Sequence, residues 1–278
     1  IFSPDDKIAK AGEIPGATNS EQKGSDHYQV ATSPQSFVVM YRFFNGSEPP
    51  LVEMVLSPYN RISGKACILG ENTPLVGAKI DVYPIDLKKG KRLKNIPEAS
   101  FVTDSAGSWG PFKSKLFRAY EFVLQPGNNQ RNVYYYRQGF IEPDNLVYLR
   151  ALPTTGMTSL LLKMLPAKDE QSVMVIFTSN QAVVYGRDSL AVNEMPISSA
   201  VNTPASKTAI AQFLFDDGDN TTSGNKIAAF NALPFMNGVD FFIPSNEEKP
   251  IHIYFNNRHI YLPRRKSDTE GIMVVVLN

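Results

Sequence analysis

Asp6 and His27 stand 21 positions apart in a polar, turn-rich stretch, and they are the residues whose types and spacing suit acid–base chemistry best. A histidine that works as a base at one ring nitrogen needs a carboxylate at the other. The carboxylate fixes the tautomer and stabilises the imidazolium that forms once a nucleophile has given up its proton. Taken alone, His27 reads as a surface polar residue ahead of a helix. Asp6 upstream of it gives the pair a chemical reading.

Other candidates carry less. His252 and His259 lie seven apart in PIHIYFNNRHIYLP. They can meet across a hairpin whose turn is Asn256–Asn257, and imidazoles ligate zinc or copper well. No third ligand is marked, so no metal is expected. The acidic run FDDGDNTTSGN at 215–225 has Thr221 and Ile227 where a calcium-binding EF-hand loop needs Gly and Glu, so it reads as a polar hairpin loop. Cys67 in KACIL alternates with apolar neighbours and reads as a core residue of a strand. Trp109 reads as a packing residue after a turn. No phosphate-binding glycine loop or dinucleotide fingerprint occurs, and no cofactor is expected.

Composition narrows the classes further. The formal net charge is +1, so bulk electrostatics imply neither nucleic acid nor an anionic membrane as partner. A single cysteine excludes an internal disulfide and any multi-cysteine metal site. No run of about 18 apolar residues occurs, so no transmembrane segment is expected. The first ten residues, IFSPDDKIAK, lack the basic and apolar regions of a secretion signal and lack an initiator Met. The chain is therefore expected to begin partway into a longer product.

The elements that must position Asp6 and His27 come first in the chain. Ser33-Pro34 is a strong helix start, with Ser as N-cap and Pro at the first helical position. QSFVVMYRFF then places Phe37, Val38, Met40, Tyr41 and Phe44 on one helical face, and Asn45-Gly46 is a natural stop. Residues 47–60 read as a linker in which LVEMVL is a candidate edge strand. From Arg61 the pattern becomes short alternating runs separated by turns. RISGKACILG, GAKIDVYPIDL, ASFV, SWGPF and RAYEFVLQP fill 61–126. In GAKIDVYPI, Ala78, Ile80, Val82 and Pro84 share one face and Lys79, Asp81 and Tyr83 the other. KKGKRLK at 88–94 has two readings: a solvated hairpin tip, or a tract drawn to an anionic surface. In 127–278, NVYYYRQGF, NLVYLRAL, SLLLKML, SVMVIFTS, AVVYG, AIAQFLFDD, VDFFIP, PIHIYFNN and GIMVVVLN read as strands. GIMVVVLN is expected to be central because its apolar run is continuous. Such spacing predicts a β-sandwich or barrel.

The segment SPDDKIA…IPGATN…GSDHYQVATSPQSF resembles the end of small bacterial and archaeal lipases of the α/β-hydrolase superfamily. In those enzymes an Asp-x-Ile stretch carries the catalytic acid, a Gly-Ala-x-Asn stretch follows, and the catalytic histidine comes eight residues after the Asn. Here these are Asp6-Lys7-Ile8, Gly16-Ala17-Thr18-Asn19 and His27. Asp5 is an adjacent carboxylate, but Asp6 keeps the spacing to Ile8. Asp26 departs from the Gly often found before the histidine; it either raises the basicity of His27 or faces solvent. Downstream, ISGKACILGENTPLVGAKIDVYP…TDSAGSWGPF…AYEFVL resembles a transthyretin-like or carboxypeptidase-regulatory module. YYYRQGFIEPDNLVYLRAL and VIFTS resemble the C-terminal β domain of the archaeal long-chain lipase family.

The resemblance implies a mainly β fold: the end of an α/β-hydrolase domain at 1–46, a linker at 47–60, a small transthyretin-like β-sandwich at 61–126 and a larger β-sandwich or barrel at 127–278. It implies a secreted or envelope-associated lipase or esterase acting on lipid or other ester substrates. In such an enzyme Asp6 orients His27, His27 serves a serine nucleophile, and YYYRQGF and FNALPFMNGVDFF are candidates for the acyl-chain surface. No G-x-S-x-G occurs in the chain, and the nearest cluster, AGSWG at 106–110, follows the histidine instead of preceding Asp6. The serine is therefore expected in an upstream part of the same hydrolase domain, and this chain alone is expected to be inactive. The competing reading is a non-enzymatic β-sandwich binding or adhesion protein.

Overall fold

A computed structural model describes residues 1–9, 12–52, 55–127, 130–153, 159, 165–233 and 235–278. Gln29–Thr32 forms a single helical turn, α1, and Pro34–Asn45 forms α2. The Ser33 hydroxyl accepts the Ser36 N–H at 3.1 Å, Pro34 occupies the first turn, and Gly46 closes α2 at φ 65°. Gly46 takes this left-handed backbone without a Cβ penalty and donates its N–H to Arg42 O at 2.9 Å. These are the start and stop that the sequence predicts. The apolar face is another matter. Phe37, Met40, Phe43 and Phe44 are exposed, Phe44 at 77%, and Ser36 is the buried residue of the helix.

The strands are β1 (Tyr59–Ile68), β2 (Lys79–Asp86), β3 (Lys91–Arg92), β4 (Ala99–Val102), β5 (Ser108–Lys115), β6 (Ala119–Gln125), β7 (Asn132–Arg137) and β8 (Asp144–Ala151). They continue as β9 (Met174–Thr178), β10 (Leu190–Val192), β11 (Met195–Pro196), β12 (Ala211–Phe215), β13 (Met236–Asp240), β14 (Ile251–Phe255), β15 (Arg258–Leu262) and β16 (Gly271–Leu277). The chain is mainly β, with several sheets. The largest runs β13-β12-β9-β16-β7-β6-β2-β3, with β4 also paired to β2. A three-stranded sheet, β5-β1-β8, and a four-stranded sheet, β11-β10-β14-β15, complete the set.

The pleat explains how these sheets stack. Successive side chains of a strand point to opposite faces. On β7, Val133 and Tyr135 pack with Ile62, Trp109, Val147 and Leu149 of the three-stranded sheet. Tyr134 and Tyr136 pack on the other side with Leu190, Ile251, Ile253 and Ile260 of the four-stranded sheet. β16 divides likewise: Met273, Val275 and Leu277 face one core, and Val276 the other. The large sheet is thus covered on both faces, which is why its central strands are continuous apolar runs. β16 lies between parallel neighbours β7 and β9, the central place expected for GIMVVVLN. The proposed division at 126/127 falls between β6 and β7, which are antiparallel neighbours in this sheet.

Several readings of single segments need correction. AVVYG is not a strand: Val183 donates its N–H to Ala209 O and Tyr185 donates to Thr203 O, two bonds to loops with no ladder between them. The strand of VDFFIP begins earlier and ends at Asp240. Leu51, Val52, Val55 and Leu56 of LVEMVL are exposed and lie in no strand. Most of SLLLKML lies outside the described residues. Asp81, which alternation places on the face of β2 opposite Ile80 and Val82, is buried there and is held by Lys79, Ser100 and Gln125. Cys67 and Trp109 are core residues, and burial pushes the Cys67 thiol above its ordinary range.

Candidate active site

Asp6 and His27 are brought together by three local turns. Phe2 and Glu21 form a bridge in which Phe2 N–H donates to Ser20 O at 3.0 Å and Gln22 N–H donates to Phe2 O at 2.9 Å. This clips the Asp6 turn beside the His27 turn. Between them the Asn19 amide closes its own loop, accepting Ile14 N–H at 2.9 Å and donating to Ile14 O and Ala17 O. That is the physical use of the Asn in the GATN stretch: one side chain satisfies three backbone groups that no ladder reaches.

The two adjacent carboxylates have different tasks. Asp5 Oδ2 accepts the Gly24 N–H at 2.7 Å and so anchors the loop that leads to the histidine. Asp6 Oδ1 accepts Ile8 N–H at 2.8 Å and Ala9 N–H at 2.9 Å, and its Oδ2 accepts His27 Nδ1 at 2.8 Å. The Asp6 side chain is 6% exposed and that of His27 is 36% exposed. Burial alone would raise the Asp6 carboxyl, but the hydrogen bonds from Ala9, His27 and Ile8 and the charge on His27 outweigh it and hold Asp6 below its ordinary value. Asp6 is therefore the acceptor and His27 donates to it through Nδ1, so Nε2 is the ring nitrogen that the carboxylate does not hold. Among the described residues Nε2 has no hydrogen-bond partner. The arrangement can take a proton from a hydroxyl brought to Nε2.

Asp26 is partly buried, and its hydrogen bonds go to groups other than the imidazole. Its Oδ1 accepts Tyr28 N–H and Gln29 N–H at 2.9 Å, while Gln29 Oε1 accepts Asp26 N–H at 3.0 Å. This reciprocal pair is a capping box that starts α1 directly behind the histidine. Asp26 Oδ2 accepts Arg187 Nη1 at 3.0 Å. Arg187 also holds Asp188 through Nε at 3.0 Å and reaches Ala182 O. Further contacts join this segment to the β region: Arg187 Nη1 donates to Gln29 Oε1 at 3.5 Å, Gln29 Nε2 donates to Gln181 Oε1 at 3.3 Å, and Thr32 Oγ1 donates to Asn180 O at 3.1 Å. Phe235 stacks on the His27 ring at a centroid distance of 5.8 Å and an interplanar angle of 18°. Arg187 and Phe235 carry no local sequence signal for this role, because each stands more than 150 positions from His27.

The remaining candidates behave differently. YYYRQGF is core: Tyr134, Tyr135, Tyr136 and Phe140 are buried. In FNALPFMNGVDFF, Phe230, Val239 and Phe241 are buried, while Leu233, Phe235 and Met236 remain partly exposed at the His27 end. His252 and His259 do meet across the β14–β15 hairpin, with Nε2···Nδ1 at 2.9 Å. Among the described residues no three His, Cys, Asp or Glu side chains group to hold a metal ion. The 215–225 run is a loop in which Asp216 and Asp219 cap backbone N–H groups of the turn. No helix among the described residues is long and apolar enough to cross a membrane.

Comparison with known proteins adds to this geometry. No curated protein matches the chain. Among solved structures, a 9R-lipoxygenase from Cyanothece PCC8801 aligns at 16% identity over 47% of this chain and 23% of its own length, with a TM-score of 0.21. Residues 164–276, which hold β9 to nearly all of β16, match a second family model described as a C-terminal domain. Residues 59–153, which hold β1 to β8, match the family model of the lipase C-terminal domain, so this part of the chain is similar to a lipase-type C-terminal β domain.

Proposed function

We propose that this chain is the acid–base portion and β appendage of a carboxylic-ester hydrolase of the lipase type, whose serine nucleophile lies outside these 278 residues. The observation that carries the reading is the 2.8 Å Asp6–His27 hydrogen bond, with Nε2 free of hydrogen-bond partners among the described residues. In this reading Asp6 holds the neutral tautomer of His27. Nε2 takes the serine proton as the hydroxyl attacks the ester carbonyl and returns it to the leaving alcohol. The imidazolium formed between these steps is stabilised by the Asp6 carboxylate, which stays ionised because two backbone N–H groups also hold it. Residues 1–46 supply the end of the hydrolase domain, 61–126 a transthyretin-like module and 127–278 the larger β domain.

The lipase-type match over 59–153 supports an ester or lipid substrate, and Phe235 beside the imidazole supports an apolar wall for the acyl chain. The exposed apolar face of α2 also fits, because a helix that closes a hydrolase domain would bury that face against the rest of it. A chromogenic-ester assay on the purified chain tests the absence of the nucleophile. No His27-dependent turnover is expected; turnover abolished by His27→Ala would show that these residues already hold a complete site.

A further inference from the structure

The end of the large sheet that carries His27 also carries a second feature. β9, β16 and β7 finish at this end, and β12, β13 and β6 start there, as the registers Thr178↔Leu277, Val276↔Arg137, Ala211↔Phe177, Ala211↔Met236 and Tyr120↔Arg137 show. Phe235, stacked on His27, immediately precedes β13. Along the same edge, past β6, a groove of about 520 Å³ opens between the β2–β3 turn, the β5–β6 turn and Gly139. Leu87, Leu93, Leu116 and Phe117 give it an apolar floor and lip, and Lys88 and Arg118 line it. Lys89, Lys91 and Lys94 are exposed on the adjoining KKGKRLK tract. Among the described residues the one carboxylate lining the groove is Asp86, whose Oδ1 is engaged by the Lys88 N–H at 2.9 Å.

Phe117 is the unusual residue here. Its φ is 58°, a left-handed backbone that a bulky side chain rarely takes, yet the residue is 66% exposed. The turn is fixed by close packing: a Cβ at Gly139 would lie 2.2 Å from the Phe117 carbonyl carbon. A strained backbone that holds an exposed phenyl side chain beside a groove lined by Lys88 and Arg118 has no folding purpose in view. It suits insertion between acyl chains while the cations meet headgroup charge.

We infer that the β2–β3 and β5–β6 turns form a docking surface for an anionic lipid surface, with Phe117 and Leu93 entering the apolar layer and Lys88, Lys89, Lys91, Lys94 and Arg118 contacting headgroups. Five strand-to-strand steps separate β13 from β6. At about 4.8 Å per step the docking tip lies on the order of 24 Å from His27 along the same edge. The docking tip and the dyad therefore share one edge of the large sheet, whose twist sets the angle between them. Any use of that placement in catalysis rests on the hydrolase reading; the binding itself does not.

Co-sedimentation of the full chain with vesicles tests the inference. Binding to phosphatidylglycerol–phosphatidylcholine vesicles is expected, weakening as salt rises. Each surface lysine is worth about a fivefold change in partition. The triple variant Lys88→Gln, Lys89→Gln, Lys91→Gln should therefore bind about a hundredfold more weakly. Phe117→Asn should bind about tenfold more weakly while keeping or raising the melting temperature, because Asn accepts the left-handed backbone. No vesicle binding, equal binding to pure phosphatidylcholine, an unaffected triple variant, or uptake of soluble fatty-acid monomers without vesicle binding would each overturn it. Binding is read without turnover. Lost binding with intact His27-dependent hydrolysis by the extended protein defeats this inference alone; vesicle binding without any such hydrolysis defeats the hydrolase reading alone.

Discussion

Asp6 accepts three hydrogen bonds, two from backbone N–H groups and one from His27, and this fixes how the pair responds to acid. Burial opposes ionisation, but the Ala9, His27 and Ile8 contacts hold the carboxyl below its ordinary value. A carboxylate depressed in the folded state adds stability that is fully present above its unfolded value of about 3.9 and is lost as pH falls through the folded value. The loop around Asp6 and His27 should therefore be protected from proteolysis at pH 7 and progressively released below about pH 4. Asp6→Asn should make that release insensitive to acid in this range and remove the hydrogen-bonded Nδ1 proton signal of His27 from the NMR spectrum. A retained signal in the variant would contradict the assigned pairing. The sequence made this pair legible, because GATN and the spacing to His27 are local and the Asn19 turn that enforces them is local too. It did not reveal Arg187 or Phe235, whose contacts with this loop arise only when the chain has folded back across the β region.

The helices and strands divide in the same way. α2 was readable to the residue, since Ser33, Pro34 and Gly46 act through backbone geometry next to them. β3, β10 and β11 are two or three residues long, too short to display a period. AVVYG reads as a strand because it is apolar, yet Val183 enters the core from a loop and its N–H bonds to Ala209 O outside any ladder. Charge also sits inside the stacked sheets, where alternation alone does not reveal it. Glu121 on β6 is fully buried, with Oε1 accepting Arg265 Nη2 at 2.9 Å and Oε2 held by Arg92. Glu121→Ala leaves two arginines without their shared partner and should cost about 3 kcal/mol, read as a lowered midpoint in urea. α2 supports the opposite expectation. Phe44→Ser should change the stability of this chain by less than about 0.5 kcal/mol, as at other exposed positions. In a protein extended upstream of Ile1 it should cost about 1.5–3 kcal/mol, if the hydrolase body buries that ring. Equal small effects in both proteins would count against the helix as a buried closing element.

Across the molecule, the described residues of the first 46 meet the β region through polar contacts and a ring stack, and none of them belongs to the three apolar core clusters of the described residues. Arg187 to Asp26 and Gln29, Gln29 to Gln181, Thr32 to Asn180 and His27 on Phe235 lie in that seam. Arg187→Ala should speed amide exchange across residues 20–33 while the melting temperature of the β region shifts by no more than about 2 °C, because the three stacked sheets hold their own core. What the sheets add is placement: one edge of the large sheet carries Phe235 against the histidine and, further along, the basic turn that holds Phe117. The measurement that bears most directly on the central claim is ester hydrolysis by a polypeptide extended upstream to include a G-x-S-x-G nucleophile, compared with its His27→Ala variant. The account predicts turnover in the extended protein, none in the 278-residue chain, and a loss of at least about 10³-fold on replacing His27. Turnover by the extended protein that survives His27→Ala undiminished would contradict it.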